Sequence, residues 1–382
     1  MAQPRKIILL IDIASEFDRK LLRGIFRYSK ENGPWQFYRM PSWYRWDEDG
    51  ETRILEWARR WEADAIVGRW NSPDAPLLKT LGIPIALQNY TSRSTAYSVI
   101  TGDYKGTGEL AAEFFFKRDF RHYAYFGLKG VVWSDERGEG FESRIGTAGF
   151  GVDKLEIEGP ENESRMAIAQ WLTSLPKPCA LFCCDDARAL LISEICKLEG
   201  LSVPEDITLL GVDNDELFCE ISDPPISSIE LDVESGGETL GRLLDERITE
   251  GSGEPFTVVI RPLGIIERRS TNRHNIEDEY VLKVVNYLED NMASEITMAD
   301  ILSLAPLSRR SLEIRFKEET GTSIWQYLLS FRIERFSRLL LSSTKPLKEL
   351  AFECGFRDAN NISRTFRHYK GCSPQEFRQK YR

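Results

Sequence analysis

The stretch of sequence that decides the fold of the C-terminal third is residues 347–378, LKELAFECGFRDANNISRTFRHYKGCSPQEFR. The apolar spacing before Gly355 indicates a short helix, and Gly355 provides the tight turn that ends it. Asp358 is a suitable N-cap for a second helix. In that helix Ile362 and Phe366 lie four residues apart and share one face. The pattern predicts a helix-turn-helix whose second helix packs inward through these two side chains.

The other face of this second helix carries groups that suit contact with a nucleic acid. Amide, hydroxyl and guanidinium groups can reach base edges and phosphates from a helix in the major groove. The sequence therefore predicts DNA contacts by Ala359, Asn360, Asn361, Ser363, Arg364 and Arg367.

A similar pattern precedes it in the chain. Thr297 and Asp300 form a capping pair for a first helix. Ser308 caps a second one, in which Leu312 and Phe316 repeat the inward-facing pair. The predicted DNA contacts of this motif are Ser308, Arg309, Arg310, Glu313 and Arg315.

The segment between the two motifs, residues 324–341, contains neither Gly nor Pro and repeats apolar residues at helical spacing. It predicts one helix roughly 27 Å long. Because successive major-groove faces are separated by roughly 34 Å, such a helix could hold the two motifs about one DNA turn apart.

Charge distinguishes this interpretation from an ordinary helical bundle. Residues 302–382 carry sixteen Lys and Arg against eight Asp and Glu, whereas the whole chain has a net charge of −10. A local basic excess on an acidic protein is expected for phosphate contact. Double-stranded DNA is therefore the predicted partner of the last third.

The region from about residue 278 to 382 resembles the AraC-type transcription factor domain along its whole length. The turn residue Pro306, together with Leu302 and Phe336, departs from the pattern, in which smaller residues are usual. The first two departures lie in the first motif, whose packing they would alter. The resemblance rests on Ser308, Leu312, Phe316, Gly321, Leu350, Ala351, Gly355, Phe356, Ser363, Arg364, Phe366, Gly371, Ser373, Pro374, Phe377 and Arg378.

Length and composition describe the rest as an ordinary globular protein. Its 382 residues allow two or three domains, and 42% hydrophobic with 29% charged residues is typical of soluble proteins. No run approaches the roughly 18 consecutive apolar residues of a membrane span. Asp12 interrupts the apolar run at residues 7–11, which predicts a buried strand rather than a signal peptide. We expect a cytoplasmic protein, nucleoid-associated when bound to DNA, without membrane contact.

Motifs of metal binding and catalysis are not found. The seven cysteines and three histidines lack zinc-ligand spacing and form no disulfide framework, so buried free thiols are expected. Neither G-x-G-x-x-G after the first strand nor G-x-x-x-x-G-K-[ST] occurs, and no nucleophile and histidine arrangement stands out. We expect no metal, no cofactor and no enzymatic activity.

Residues 6–268 alternate short β-branched or aromatic runs with amphipathic stretches, which indicates parallel sheets with crossover helices. Alternation over this length predicts two linked α/β lobes with a ligand cleft at the carboxyl ends of the strands. The predicted strands include residues 7–13, 65–70, 83–88, 122–126, 180–184, 207–212 and 256–260.

Polar and aromatic side chains collect where these strands end. Carboxylates, amides and guanidinium groups bind sugar hydroxyls, and aromatic rings cover the apolar face of a sugar. Taken singly, Asp12 or Asp185 is explained equally well as a helix N-cap. As one set opening on a cleft, the residues predict a small polyol ligand: Asp12, Trp70, Asn89, Trp133, Arg137, Asp186, Asp213 and Asn214.

This part also resembles the periplasmic-binding-protein-like sugar sensors of LacI-type repressors. The resemblance covers about 260 residues and rests mainly on residues 137–141, 186–189, 200–207 and 211–214. It implies that Arg137, Asp186 and Asp213 contact a sugar. A LacI-type repressor carries its helix-turn-helix before this domain, whereas here the first strand begins near Lys6.

A sugar sensor followed by an AraC-type domain resembles the xylose operon regulators of bacteria. Residues 17–19, 125–128 and 266–271 add local likenesses, and Asp18 joins the predicted sugar contacts. The resemblance implies an activator switched by a pentose, most simply D-xylose. The alternatives are another monosaccharide or polyol as effector, and repression in place of activation.

The resulting domain prediction is a sensor at residues 5–268, a linker at 269–278 and a double helix-turn-helix domain at 279–382. Sugar binding is expected to close the lobes and reposition the DNA-binding domains of a homodimer, with RNA polymerase as a further partner. The aromatic stretch at residues 43–46, WYRW, fits a sugar site or an interface equally well.

Overall fold

The apolar run after Lys6 forms a strand, β1 (Arg5–Leu10), in which Ile7 and Ile8 are fully buried. Two compact units make up the protein, Met1–Arg273 and His274–Arg382. The structure, a computed structural model, describes residues 4–40, 49–70, 76–88, 96–158, 161–251, 253–272, 276, 278–343, 345–356 and 359–381.

The first lobe of the N-terminal unit is built on a six-stranded sheet. Besides β1 it contains β2 (Trp35–Arg39), β3 (Ala65–Arg69), β4 (Ile85–Gln88), β5 (Ser98–Gly102) and β11 (Thr257–Ile260). Their order across the sheet is β11-β5-β4-β3-β1-β2, and the pairings are parallel.

The second lobe has a sheet of the same size. Its strands are β6 (His122–Leu128), β7 (Val152–Ile157), β8 (Cys179–Cys183), β9 (Ile207–Val212), β10 (Ser227–Leu231) and β12 (Pro262–Ile266). The order is β12-β10-β9-β8-β6-β7, and β12 lies antiparallel to β10. The sheet membership of the strands means that the backbone passes between the lobes three times, after β5, after β10 and after β11.

Crossover helices connect the parallel strands, as this topology requires. They are α1 (Glu16–Asn32), α2 (Gly50–Trp61), α3 (Tyr104–Phe116), α4 (Val132–Thr147), α5 (Glu161–Ser174), α6 (Asp186–Leu198), α7 (Glu216–Ile221) and α8 (Val233–Glu250). Short 3-10 helices lie at Leu78–Leu81 and Arg269–Thr271.

The C-terminal unit is helical and has two separate apolar cores. Its helices are α9 (Glu279–Asp290), α10 (Met298–Leu302), α11 (Arg309–Thr320), α12 (Ile324–Ser342), α13 (Leu347–Glu353), α14 (Ala359–Lys370) and α15 (Pro374–Tyr381). The first half of α12 packs with α9, α10 and α11, whereas its second half packs with α13, α14 and α15. One continuous helix therefore joins two small helical clusters.

The predicted fold class, a two-lobed α/β domain followed by an all-α domain, is confirmed. The stretch expected to be a linker at residues 269–278 begins inside the sensor unit, because Arg269–Thr271 form a helical turn with Ser270 and Thr271 buried. None of the helices in the described part of the protein has the length and apolar composition that a bilayer crossing requires.

Candidate functional site

A cavity of about 320 Å³ lies at the carboxyl ends of the strands of both lobes. Its volume is at the lower end of the range of about 300–1,000 Å³ that small-molecule sites occupy. Residues of β3, β4 and β5, and the segments that follow β1 and β5, supply Ser15, Glu16, Phe17, Arg69, Gln88, Ile100 and Tyr104. Residues at or beyond the ends of β6, β8 and β9 supply Leu128, Trp133, Arg137, Asp185, Asp186, Ala187, Arg188, Asp213, Asp215 and Phe218.

Arg137, on α4, is a buried cation among the cavity residues of the second lobe, with a side chain only 3% exposed. One terminal nitrogen donates to the Cys184 carbonyl at 2.5 Å, and the other donates to Oδ1 of Asp213 at 3.3 Å. The guanidinium carbon lies 5.2 Å from the ring of Trp133 and 5.7 Å from that of Tyr104. The buried Nε has no hydrogen-bond partner among the described residues. A ligand hydroxyl would satisfy such a donor.

Close packing of two helices fixes where Arg137 stands. At Gly108 on α3, an added Cβ would lie 2.1 Å from the carbonyl oxygen of Arg137. A Cβ at Gly140 on α4 would lie 2.2 Å from the carbonyl oxygen of Lys105. Both positions therefore require glycine, because only glycine lets the two backbones approach this closely.

Asp213 lies in a strained turn immediately after β9. Its φ is 100° and that of Asn214 is 47°, so two successive residues that are not glycine occupy the left-handed region. Such conformations are kept where surrounding contacts enforce them, and they cluster at binding sites. Burial raises the pKa of Asp213, and the neighbouring Arg137 acts against that rise.

Asp186 is the first residue of α6 and is 1% exposed. Its carboxyl group accepts from the Ser228 hydroxyl at 2.6 Å and from the Asp215 backbone N–H at 2.7 Å. Burial raises the pKa of Asp186 well above its usual range, and the nearby Asp213 adds to that rise. Asp186 thus lines the cavity and also ties the loop after β9 to β10.

In the first lobe, a buried carboxylate is hydrogen-bonded to a residue that lines the cavity. Asp18 is fully buried and does not line the cavity, but its carboxylate accepts from the Gln88 amide at 2.8 Å. Gln88 in turn accepts from Nε of Arg69 at 3.2 Å. Asp18 therefore orients two residues that do line the cavity.

Two further predicted contacts lie away from the lining. Asp12 accepts from the Ala14 backbone, in a turn that precedes the N-cap Ser15. Trp70 packs in the core of the first lobe beside Ile8 and Leu10.

Asn214 and Asn89 are the remaining members of the predicted set. Asn214 directs its side-chain oxygen to Arg268, at 2.9 Å. Asn89 and the aromatic stretch at residues 43–46 lie outside the described residues. The structure therefore brings Trp133, Arg137, Asp186 and Asp213 together at the cavity and places Asp12, Asp18, Trp70 and Asn214 elsewhere.

Sequence reasoning missed several lining residues, among them Glu16, Arg69, Gln88, Tyr104 and Phe218. Gln88 ends a predicted strand and Arg69 is the last residue but one of another, and that position was the available signal. Asp185 caps α6 by accepting from the Arg188 backbone at 2.8 Å, as its alternative role anticipated. The other missed residues belong to helices after the strand ends and carried no separate pattern.

Contacts from α1 reach from the first lobe to the second. Arg19 donates to Asp215 at 3.4 Å. The ammonium of Lys20 donates to the Asp213 carbonyl at 3.0 Å and to Glu230 at 3.3 Å. The loop that carries Asp213 is therefore held from both sides of the cleft.

The helix-turn-helix motifs pack as the pattern predicts. Leu312, Phe316 and Phe366 are fully buried, and Ile362 is 3% exposed. Thr297 and its partner three residues on form the predicted capping box. Phe336, unusually large for its position, fills the second core by contacting Phe356 and Phe366.

The predicted DNA contacts of α11 divide into exposed and tethered groups. Arg309 and Arg310 are exposed, and Arg309 pairs with Glu313 at 2.9 Å. Ser308 caps the helix by accepting from the backbone of Ser311. Arg315 is bound at 2.9 Å to Asp278, the N-cap of α9. Arg315 therefore has a structural partner within the unit.

On α14 the exposed residues of the predicted set are Ser363, Arg364 and Arg367. Arg367 approaches Glu376 at 3.5 Å. The backbone of Ala359, Asn360 and Asn361 belongs to the helix, while their side chains and Asp358 lie outside the described part.

The seven cysteines are free thiols, and only Cys372 is not fully buried. Burial raises the pKa of the Cys179 and Cys196 thiols to about 12, which keeps both protonated and unreactive at neutral pH. No group of three or more potential metal ligands is found among the described residues.

Two family models match the protein. Residues 112–271 match a periplasmic binding protein-like domain, and residues 302–380 match a helix-turn-helix domain. The protein is therefore a transcriptional regulator that joins a periplasmic binding protein-like domain to a C-terminal helix-turn-helix domain.

One relative matches this chain along almost its whole length. The xylose operon regulatory protein of Escherichia coli (strain K12) is 25% identical over 390 residues, which cover 98% of this chain and 96% of that protein. The present protein is a homologue of xylose operon regulators along its length.

Two solved structures share its fold. A xylose-binding transcription activator superposes with a TM-score of 0.68 at 22% identity and covers 99% of this chain and 98% of its own. A LacI family regulator from Enterococcus faecalis V583, with bound ribose, superposes with a TM-score of 0.58 at 23% identity over 70% of this chain and 98% of its own.

Proposed function

We propose that this protein is a cytoplasmic transcription activator switched by a pentose, with D-xylose as the effector. The observation that carries the proposal is the pair of buried Arg137 and partly exposed Asp213, which lies beside aromatic rings in a cavity of monosaccharide size. A guanidinium group donates hydrogen bonds to sugar hydroxyls and a carboxylate accepts from them, while a Trp ring covers the apolar face of the sugar. The similarity to a xylose operon regulator and to a xylose-binding activator supports the choice of sugar and of activation.

In this proposal the sugar contacts are Trp133, Arg137, Asp186 and Asp213, with Arg69 and Gln88 from the opposite wall. Asp18 positions the last two. Because Arg19 and Lys20 already join the lobes, a bound sugar would add its own contacts to a closed cleft and stabilise that state.

DNA contacts are proposed for the exposed polar face of α14 and the first turn of α11. Arg310, Arg364 and Arg367 are exposed cations on these helices, placed to reach phosphates and base edges. A homodimer that binds two half-sites and recruits RNA polymerase completes the proposal. A monomer by light scattering, with and without sugar, would exclude the dimer.

A thermal-shift screen against pentoses and hexoses tests the effector, with Arg137→Ala and Asp213→Ala beside the natural protein. D-xylose should raise Tm, and both substitutions should abolish the rise. A rise with another sugar alone would keep the mechanism and change the effector. If no sugar raises Tm, the protein binds DNA in response to a different signal.

A further inference from the structure

Arg268 lies where the sensor unit ends, between β12 and the 3-10 helix Arg269–Thr271. Its side chain is 10% exposed, and all three guanidinium nitrogens are engaged. They donate to Oδ1 of Asn214 at 2.9 Å, to the Ile226 carbonyl at 3.0 Å and to Glu220 at 2.8 Å. This nearly buried arginine contributes nothing to the cavity lining, and the proposed sugar site does not use it.

Its partner Asn214 directly follows the sugar-facing Asp213. The two residues occupy the left-handed turn and point to opposite sides of it: Asp213 bonds to Arg137, and Asn214 bonds to Arg268. The backbone N–H of Asn214 donates to the Ser228 hydroxyl, which also donates to Asp186. A rotation of this turn would therefore move a cavity residue and the partner of Arg268 together.

The chemistry of the contact makes it sensitive to orientation. An Asn amide presents an acceptor on one side and a donor on the other, whereas a guanidinium group has only donors. Arg268 therefore donates to Asn214 when the amide oxygen faces it, and meets the amide N–H groups when the amide is turned over. A change at the turn would be converted into loss of a hydrogen bond.

The segment that follows is bound firmly to the same lobe. The Ser227 hydroxyl accepts from the Arg268 backbone at 2.7 Å and lies 2.6 Å from the Thr271 hydroxyl. Ser270 donates to the Leu209 carbonyl at 2.6 Å. Residues 268–271, through which the backbone continues to the helix-turn-helix unit, therefore form one hydrogen-bonded cluster with β9 and the start of β10.

We propose that Arg268 is the positioning residue that couples the sugar-bearing turn Asp213–Asn214 to the segment leading into the DNA-binding unit. The inference rests on the proposed function. Sugar bound at Asp213 rotates the turn and with it the Asn214 amide. Arg268 transmits this change of orientation to residues 269–271. Arg268 itself touches neither the sugar nor DNA.

The test uses the full-length protein together with D-xylose and a DNA duplex that the natural protein selects from a random pool. Arg268→Gln removes the guanidinium, and Asn214→Gly removes the amide while a glycine tolerates the positive φ. Glu220→Gln is the matched control, because it weakens only the ion pair between Arg268 and Glu220, whose side chain is 63% exposed. D-xylose affinity and DNA affinity with and without D-xylose are measured for each variant.

In the natural protein, D-xylose should change DNA affinity by about fivefold or more, as allosteric coupling typically does. In Arg268→Gln and Asn214→Gly that change should fall below about twofold, while Arg268→Gln keeps its D-xylose affinity and Glu220→Gln keeps the full response. A full response in Arg268→Gln would overturn the inference and leave the proposed function intact. Loss of D-xylose binding in Arg268→Gln would also overturn it, since Arg268 would then support the site. If the natural protein does not respond to D-xylose, the proposed function fails and the inference fails with it.

Discussion

The second helix-turn-helix and the ligand cleft differ in how far apart in the sequence their parts lie. The motif is complete within residues 347–378, and its core is formed by apolar residues of neighbouring helices and of α12. The cleft combines residues from Ser15 to Phe218, brought together by two sheets between which the backbone passes three times. Local periodicity can specify the first kind of site. The second exists only after the topology is fixed.

The largest effect should come from the motif core. Phe366→Ala removes a fully buried ring that contacts Phe336 and Phe377, and should lower the free energy of unfolding of the C-terminal unit by about 3–5 kcal/mol. Denaturant unfolding followed by circular dichroism measures the loss. Tyr369→Ala, on the same helix but 39% exposed, is the control and should change little. An equal loss in both variants would contradict the packing described.

This contrast explains what could be predicted from the sequence. Ile362, Phe366, Leu312 and Phe316 followed from helical spacing, and the cap at Ser308 followed from residue type. The long helix expected at residues 324–341 is α12, which ends one residue later. In each case the information lies within a few turns of helix.

The cleft was predictable only in part. Strand ends located Arg137, Asp186 and Asp213, because parallel strands bring their carboxyl ends to one edge. They could not show that Trp70 turns into the core, since strand and helix patterns do not specify which side of a terminal residue meets the cavity. Nor could they show that Asn214 turns to Arg268, a residue 54 positions away.

The next effect tests the cleft. Arg137→Ala leaves Asp213 without its buried cation and should weaken D-xylose binding by about 100-fold. Isothermal titration calorimetry measures the affinity. Arg144→Ala on the same helix, where the side chain is 38% exposed, serves as the control. DNA affinity in the absence of sugar should not change, so a parallel loss of DNA binding would show general unfolding in place of a site defect.

A smaller effect is expected at α11 and α14, the two helices proposed to contact DNA. Arg364→Ala on α14 should weaken DNA binding by about tenfold and reduce the salt dependence by about one counterion. Arg310→Ala on α11 should have the smaller effect of the two, because Pro306 and Leu302 in the first motif depart from the AraC-type pattern. Fluorescence anisotropy at several salt concentrations measures both. If Arg310→Ala costs more affinity than Arg364→Ala, the first motif is the principal reader.

The smallest effect concerns Asp186 and pH. Burial raises the pKa of this carboxyl group in the folded protein, whereas an unfolded Asp titrates near about 3.9. Between those two values the folded state keeps a proton that the unfolded state releases, so the stability of the sensor falls as pH rises through the window. Asp186→Asn does not titrate and can still accept from the Asp215 N–H and donate to Ser228, so its Tm should fall less between about pH 4.5 and pH 7. Asp223→Asn is the control: because Lys197 lowers the pKa of that exposed carboxylate, its titration lies below this range, and its Tm profile should match that of the natural protein. Identical pH profiles for Asp186→Asn and the natural protein would mean that Asp186 is ionised in the folded sensor, and that its two donors, rather than a bound proton, make its burial tolerable.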